Sequence, residues 1–220
     1  MASTPAYERF YNRYIKRCLG FILAIPFMIF AIPLYIIISI AIIAEDGFPV
    51  FYRPWRGGYK NKPFKIFKFR TMVKNADKIG GGTTAMHDPR ITKVGSFLRK
   101  TKLDETANLL NILIGTMSFI GPRPELLRYI EKYEGKEKEI FKVRPGVTDF
   151  SSMEFINLDE IVGSGNADEM YEKHVLKKKN ELRIKYVENV SFRTDCYIFF
   201  KTMVKVLEKA YSFIIRKEHR

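Results

Sequence analysis

The sequence predicts a mainly α chain with short β elements, an α+β arrangement in which an N-terminal re-entrant membrane helix hairpin precedes a small module with amphipathic interfacial helices. Three features carry that prediction. Residues 18–44 bear no charge and are rich in Ile, Leu and Phe. Apolar residues recur at intervals of three and four over 103–113 and again from Phe192 onward, the spacing of amphipathic helices. Residues 64–70 alternate apolar and basic side chains, as a short strand or an extended interfacial segment would. A boundary after Gly47 separates a basic flank and membrane segment (1–47) from the rest of the chain (48–220).

The membrane segment follows from charge and proline placement. A helix over 18–44 would be roughly 40 Å long, enough to cross a hydrocarbon core of about 30 Å. Arg9, Arg13, Lys16 and Arg17 precede it, and Arg53, Arg56, Lys60, Lys62 and Lys65 follow it. The positive-inside rule therefore places both flanks on the cytoplasmic side, which a straight span cannot do. Pro33, near the middle of the run, has no N–H for the carbonyl of Ile29 and clashes with it, and Pro26 weakens the preceding turn. A helix that enters, bends at Pro33 and leaves on the same face reconciles the two, leaving a freed carbonyl for another protein group to satisfy. The alternatives are a kinked full span and a signal peptide cleaved near Ser39-Ile40-Ala41, although signal h-regions are only about 7–15 residues long.

Beyond it, residues 45–63 are rich in Gly and Pro and read as a turn-rich exit. Residues 79–93, with Gly80-Gly81-Gly82-Thr83-Thr84, read as a flexible loop. Helices are expected around 96–99 and over 102–114, the second ended by Gly115. Gly121-Pro122-Arg123-Pro124 is a stiff turn leading into a helix over 125–140 whose mixed charges make a solvated face. After a turn at Pro145-Gly146, residues 150–166 look irregular and 168–187 read as a charged helix. From Phe192, Cys196, Phe199, Met203, Leu207, Ala210 and Ile214 form a stripe opposed by Lys201, Lys205, Lys209 and Arg216. Such a stripe suits either a lipid surface or the protein's own core.

The 220 residues carry a net charge of +14 with 46% hydrophobic and 14% aromatic content. That supplies a core, excludes general disorder, and argues against an ordinary neutral cytosolic enzyme. Cys18 and Cys196 cannot make a disulfide framework; both read as buried reduced thiols, and no Cys/His spacing supports zinc. Between Arg53 and Lys102 stand fourteen basic residues and two acidic ones, most of the net charge. This stretch suits anionic membrane lipid, at about 1 kcal/mol per well-placed cation, or a phosphorylated substrate. Nucleic acid is not supported, because no recognition helix, zinc finger or RNA-binding motif accompanies the charge.

Asp104 and Glu105 follow that stretch directly. Cations favour their ionised forms, so one of them suits a nucleophile or a magnesium ligand. The competing reading is structural: Thr101-Lys102-Leu103-Asp104 resembles a capping box in which Asp104 caps a helix. Arg99 and Arg123 suit phosphate oxygens as planar bidentate donors, or ordinary ion pairs.

Several motifs occur together in a fixed order. They are Lys68-Phe69-Arg70-Thr71-Met72, Asp88-Pro89-Arg90-Ile91-Thr92-Lys93-Val94-Gly95 with Phe97-Leu98-Arg99-Lys100-Thr101, Leu103-Asp104-Glu105, Met117-Ser118-Phe119-Ile120-Gly121-Pro122-Arg123-Pro124, and Val143-Arg144-Pro145-Gly146-Val147-Thr148. Together they resemble the bacterial sugar transferase family, the monotopic phosphoglycosyl transferases, over roughly residues 10–210. The resemblance implies a re-entrant helix with its bend at Pro33 and a catalytic module on the cytoplasmic face of the bacterial inner membrane. The implied chemistry is ping-pong transfer of a phosphosugar from a UDP-sugar to polyprenyl (undecaprenyl) phosphate, releasing UMP. By that resemblance Asp104 is the nucleophile and lies near Mg2+, and Glu105 assists with protons or site organisation. Lys68, Arg99 and Arg123, joined by Arg70 and Arg144 from the same motifs, form the phosphate-binding set. A homo-oligomer is left open, and a non-catalytic lipid-binding scaffold is the rival reading.

The chain departs from the family in three places. Ile32 stands where Ser often precedes the membrane proline. Thr106-Ala107-Asn108 replaces Leu-Pro-Gln and reads as a packing change. Asp149-Phe150-Ser151-Ser152-Met153 replaces a Gly-Leu-Ala-Gln-like stretch, so nucleotide and sugar contacts do not carry over there.

Overall fold

A computed structural model of the chain describes residues 4–76, 88–155 and 167–218. Residues 79–87 of the predicted 79–93 loop, residues 156–166 of the predicted irregular stretch 150–166, and the side chains of Lys209, Ala210, Ile214 and Arg216 fall outside what is described. The chain is mainly helical with short strands, and it begins with one long apolar helix. This helix, α1 (Lys16–Asp46), has 31 residues and runs through both Pro26 and Pro33, a length of about 46 Å. Together with the π-helical turn Tyr11–Ile15, it is the one helix among the described residues long and apolar enough to cross a membrane.

α1 lies along the rest of the protein. Ala24 is completely buried against Phe64, Ile66, Ile112 and Met117. Ile38 and Ile42 are buried with Phe69, Leu98 and Ala107. Between these clusters Phe27 meets Phe119 at 5.9 Å and Tyr35 meets Phe69 edge-on at 5.0 Å. These contacts fall at spacings of three, four and eight residues, so one stripe of the helix is covered. The remaining surface exposes Ile22, Ile25, Ile29, Phe30, Ile36, Ile37 and Ile40. Cys18 is exposed and Cys196 half-buried, so neither thiol has the buried place expected of it. A long run of apolar sequence marks the helix but not which of its faces finds a protein partner.

After α1 the chain forms an irregular hairpin. β1 (Phe51–Tyr52) pairs with β4 (Lys68–Phe69), and β2 (Trp55–Arg56) pairs with β3 (Phe64–Lys65), both antiparallel. Phe51 faces Phe69 and Trp55 faces Lys65, so the two ladders share one register. The alternation predicted at 64–70 is thus its returning arm. Pro54 interrupts the outgoing arm because it has no N–H to give the ladder, although its carbonyl still accepts from Ile66 at 3.1 Å.

α2 (Lys93–Thr101) is started by Thr92, whose side chain accepts from the Gly95 amide at 2.9 Å. Gly95 is required there, because a Cβ would lie 2.0 Å from the carbonyl oxygen of Thr71. The helix expected over 102–114 is divided. Lys102 takes a left-handed conformation (φ 58°, ψ 16°) that closes α2. A 3-10 turn over Leu103–Ala107 follows, then α3 (Asn108–Ile114), ended by left-handed Gly115 as predicted. A non-glycine residue pays roughly 1–2 kcal/mol for that conformation, and here it immediately precedes the Asp104-Glu105 pair.

β5 (Ser118–Ile120) pairs in parallel with β6 (Gly146–Thr148). The single helix expected over 125–140 is instead α4 (Leu127–Ile130) and a separate 3-10 helix, Gly135–Lys142. A reciprocal capping box between Glu134 and Glu137 starts that second helix afresh. α5 (Phe150–Glu154) occupies part of the segment that looked irregular, capped by Asp149. α6 (Ala167–Tyr171) continues through a π-helical turn, Glu172–Leu176, into α7 (Lys177–Glu188), matching the predicted charged helix.

α8 (Phe192–Glu218) does not dock through its apolar stripe. Ile198 is buried, Thr202 bonds Thr148 at 2.9 Å and Lys205 donates to the Met153 carbonyl at 2.8 Å. Phe199, Met203 and Leu207 remain exposed. From Phe199 to Leu207 the stripe read from the sequence faces outward, and the docking face is the adjoining one.

Candidate active site

Three segments meet around Asp104. The 3-10 turn after Lys102 presents Asp104 and Glu105, the hairpin strand β4 presents Lys68, and the Pro122-Arg123-Pro124 turn presents Arg123. Glu105 binds two of these cations through one oxygen: Oε1 accepts from Lys68 Nζ at 3.0 Å and from Arg123 Nη2. Burial alone would push the Glu105 carboxyl up, but Arg123 and Lys68 outweigh it and hold the group well below the usual carboxylate range. Glu105 is therefore ionised at neutral pH.

Asp104 behaves in the opposite way. It is 7% exposed, its Oδ1 is buried without a hydrogen-bond partner, and its pKa is raised. Burial is the largest cause and the Glu105 charge adds to it, against the pull of Lys68, Arg99 and Lys102. The capping reading fails, because the turn it begins receives no side-chain cap. Two adjacent carboxylates thus have different tasks available: one is tied up by cations, the other keeps a free oxygen among them.

Arg123 is built in from several sides. Its backbone amide donates to Asp149 Oδ2 at 3.1 Å and its Nη1 donates to the Val147 carbonyl at 3.1 Å. Asp149, completely buried, also accepts through Oδ1 from Ser151 Oγ, Ser152 N and Ser152 Oγ. The divergent segment after Thr148 therefore braces Arg123. At Gly146 an added Cβ would lie 2.1 Å from the Gly121 amide nitrogen, so the two turns can meet only through glycine.

Arg99 reaches the same neighbourhood from α2, with Nε donating to Thr71 Oγ1 at 2.8 Å and its charge acting on Asp104. Two of the predicted phosphate-binding residues have other engagements. Arg70 is buried and donates to the Asp46 and Gly47 carbonyls at 3.1 and 2.5 Å, with the Asp46 carboxylate 3.3 Å away; it holds the end of α1. Arg144 lies over the Tyr59 ring at 5.0 Å and lines a small cavity with Asn12, Lys16, Arg17 and Ser118. A sequence motif records that an arginine is present, while its destination depends on partners far along the chain. Neither Asn108 nor Asp149 is among the site residues expected from the sequence. For Asn108 the available signal was its spacing, four residues after Asp104.

A divalent cation fits here only in part from protein groups. Asp104 Oδ1 is a buried, unpartnered carboxyl oxygen, and among the described residues no three His, Cys, Asp or Glu side chains cluster to cage an ion. That suits magnesium, which commonly takes one or two carboxylates and completes its shell with water and substrate phosphate.

An apolar helix laid along a small α+β body, with an unpartnered carboxylate among cations, defines a class of membrane-adapted protein suited to phosphorylated substrates. Comparison with known proteins makes this specific: the bacterial sugar transferase profile matches residues 11–209, and the chain belongs to that family. It is 34% identical over 198 residues to the UDP-glucose:undecaprenyl-phosphate glucose-1-phosphate transferase of Escherichia coli (strain K12), a match covering 88% of this chain and 40% of that protein. It is 34% identical over 194 residues to the uncharacterised sugar transferase EpsL of Bacillus subtilis (strain 168), covering 88% and 87%. The exopolysaccharide production protein ExoY of Sinorhizobium fredii is 34% identical over 206 residues, covering 87% and 84%. The chain thus spans two fifths of the Escherichia coli protein and most of the two shorter relatives.

Proposed function

We propose that the chain transfers a phosphosugar from a UDP-sugar to undecaprenyl phosphate through a covalent intermediate on Asp104. The observation that carries this reading is the unpartnered Asp104 oxygen beside an ionised Glu105 within a ring of cations. Asp104 attacks the β-phosphorus; the bond from that phosphorus to the bridging oxygen breaks, and UMP leaves with the electron pair. An oxygen of the lipid phosphate then attacks the same phosphorus, breaking its bond to Asp104 and restoring the carboxylate. One site can thereby serve a water-soluble donor and a lipid acceptor in turn.

Lys68, Arg99 and Arg123 lower the repulsion between an anionic nucleophile and an anionic diphosphate. Glu105, held ionised, orients Lys68 and Arg123 rather than donating a proton. Asp104 is the residue that would hold magnesium, which when bound would neutralise diphosphate charge. The test is UMP release by the purified chain from a panel of UDP-sugars, with intact mass read in parallel. We expect one UDP-sugar to give UMP and a mass gain of one phosphosugar; no release from any donor would overturn the reading.

The re-entrant topology belongs to the same proposal, with both flanks of α1 at the cytoplasmic face among anionic headgroups. It is supported by how the two ends of α1 are held. At one end Arg17 donates to the Ile112 and Leu113 carbonyls and Lys16 pairs with Asp195 at 2.9 Å. At the other, Glu45 accepts from the Lys93 and Val94 amides at 2.7 and 2.9 Å, at the start of α2. Both ends of α1 are thus held by the same body, as a helix that enters and leaves on one face requires. Reporters fused before Met1 and after Arg220 should both be protected from external reagents in intact cells, and labelling of only one would exclude this topology.

A further inference from the structure

Asn108 is 1% exposed, and neither its Oδ1 nor its Nδ2 has a hydrogen-bond partner. Native proteins leave few buried polar groups unsatisfied, and an amide with both ends unpaired calls for a reason. Asn111, three residues later on the same helix and equally buried, shows what a structural asparagine does here. Its Oδ1 accepts from the Phe67 amide at 2.7 Å, and its Nδ2 donates to the Lys65 carbonyl and to Thr116 Oγ1, both at 3.0 Å.

The location of Asn108 follows from the same comparison. Asn108 opens α3 immediately after the 3-10 turn that carries Asp104, and Asn111 follows three residues on, on the same face of α3. Asp104 and Asn111, on either side of Asn108 in the chain, both adjoin the returning arm of the hairpin. Asn111 bonds Lys65 and Phe67, and Asp104 feels Lys68, whose Nζ binds Glu105. Asn108 stands between them in the chain, and its two side-chain polar atoms and Asp104 Oδ1 are three buried polar atoms without hydrogen-bond partners within five consecutive residues.

The chemistry of an amide narrows what this group receives. A lysine or arginine offers only donors, and a carboxylate only acceptors; an amide offers one of each in fixed geometry. A partner using both ends must present a hydrogen-bond donor or a cation beside an acceptor oxygen. A divalent cation bound to a diphosphate has that character. A neutral amide oxygen also ligates a hard cation without adding negative charge against the diphosphate.

We propose that Asn108 is a binding residue for the metal-bound diphosphate of the donor, its Oδ1 directed to the cation and its Nδ2 to a non-bridging phosphoryl oxygen. This rests on the reading of Asp104 as the residue that holds the cation. The replacement of Leu-Pro-Gln by Thr106-Ala107-Asn108 then bears on the reaction and is more than a packing change.

The experiment uses the detergent-solubilised full chain, stripped of metal, with Mn2+ binding followed by electron paramagnetic resonance and unfolding followed by thermal midpoint. Asn108→Leu should weaken Mn2+ binding by about tenfold or more and leave the metal-free midpoint unchanged or raised, since an apolar side chain of similar shape removes two unsatisfied groups. Asn108→Asp should bind Mn2+ more tightly and raise KM for the UDP-sugar, because it gains a charge and loses the donor. Wild-type Mn2+ affinity in either variant would overturn the assignment, including the case in which Asn108→Leu only lowers the midpoint. Asp104→Ala separates the two ideas. If it binds Mn2+ as wild type does, the cation site at Asp104 fails and Asn108 falls with it. If Asp104→Ala loses Mn2+ while Asn108→Leu keeps it, only the role of Asn108 is wrong.

Discussion

Asp104→Asn should lose transfer by on the order of 10^4-fold or more, the scale on which removal of a covalent nucleophile acts, and should form no phosphosugar adduct. The same substitution should make the metal-free protein more stable. Asp104 is buried with one oxygen unpaired, and its pKa is raised, chiefly by burial. A carboxyl whose folded pKa lies above its unfolded value holds its proton more tightly in the folded state. Stability therefore falls as pH rises from the unfolded to the folded pKa, and the deficit is fully present above the latter. An amide carries no such charge, so the thermal midpoint of Asp104→Asn should exceed that of wild type at neutral pH, and the gap should close on acidification. Activity and stability moving in opposite directions would mark a site kept at a cost to the fold. Transfer at the wild-type rate, or equal midpoints across that pH range, would refute the assignment of Asp104 as a strained nucleophile.

Asp104 and Glu105 were legible in the sequence because their signal is local: two adjacent carboxylates at the end of a basic stretch, within a motif of fixed order. α1 was legible for the same reason. What sequence reading missed depends on long-range partners. Nothing near Arg70 announces that Asp46 and Gly47 will receive its guanidinium. Nothing near Arg144 announces Tyr59. The spacing separates two helices near Lys102, but nothing local shows that the second opens as a 3-10 turn before α3 begins at Asn108. Asn108 looked like a substitution for a relative's glutamine until burial without partners gave it a different meaning. Likewise, 168–187 reads only as a charged helix, yet Lys179, Asn180 and Arg183 within it are all buried.

That burial sets the largest expected effect on stability. Glu125 lies two residues beyond Arg123, and its Oε2 accepts from Arg183 Nη2 at 2.9 Å and from the Tyr171 hydroxyl. Arg183 is 1% exposed and also donates to Tyr133 Oη at 3.2 Å and Asn180 Oδ1 at 2.9 Å. Burial would push the Glu125 carboxyl up, but Arg183 and Lys179 outweigh it and lower the pKa to about 2. Removing the carboxylate leaves a buried guanidinium without its counter-charge, so Glu125→Gln should cost about 3–5 kcal/mol at pH 7 in denaturant unfolding. A depressed carboxyl contributes stability that is complete above its unfolded pKa and is lost as pH falls through the folded one. The drop from 4.5 to about 2 corresponds to about 3 kcal/mol. The difference between wild type and Glu125→Gln should therefore hold at pH 7 and shrink between pH 4.5 and 2. Because Glu125 follows Arg123 across a single proline, and its carbonyl accepts from the Gly57 amide at 3.0 Å, the substitution should also loosen the turn that aims Arg123 at Glu105. Activity should then fall under conditions where most of the protein remains folded, and an unaltered rate there would mean that α7 supports the fold without setting the site.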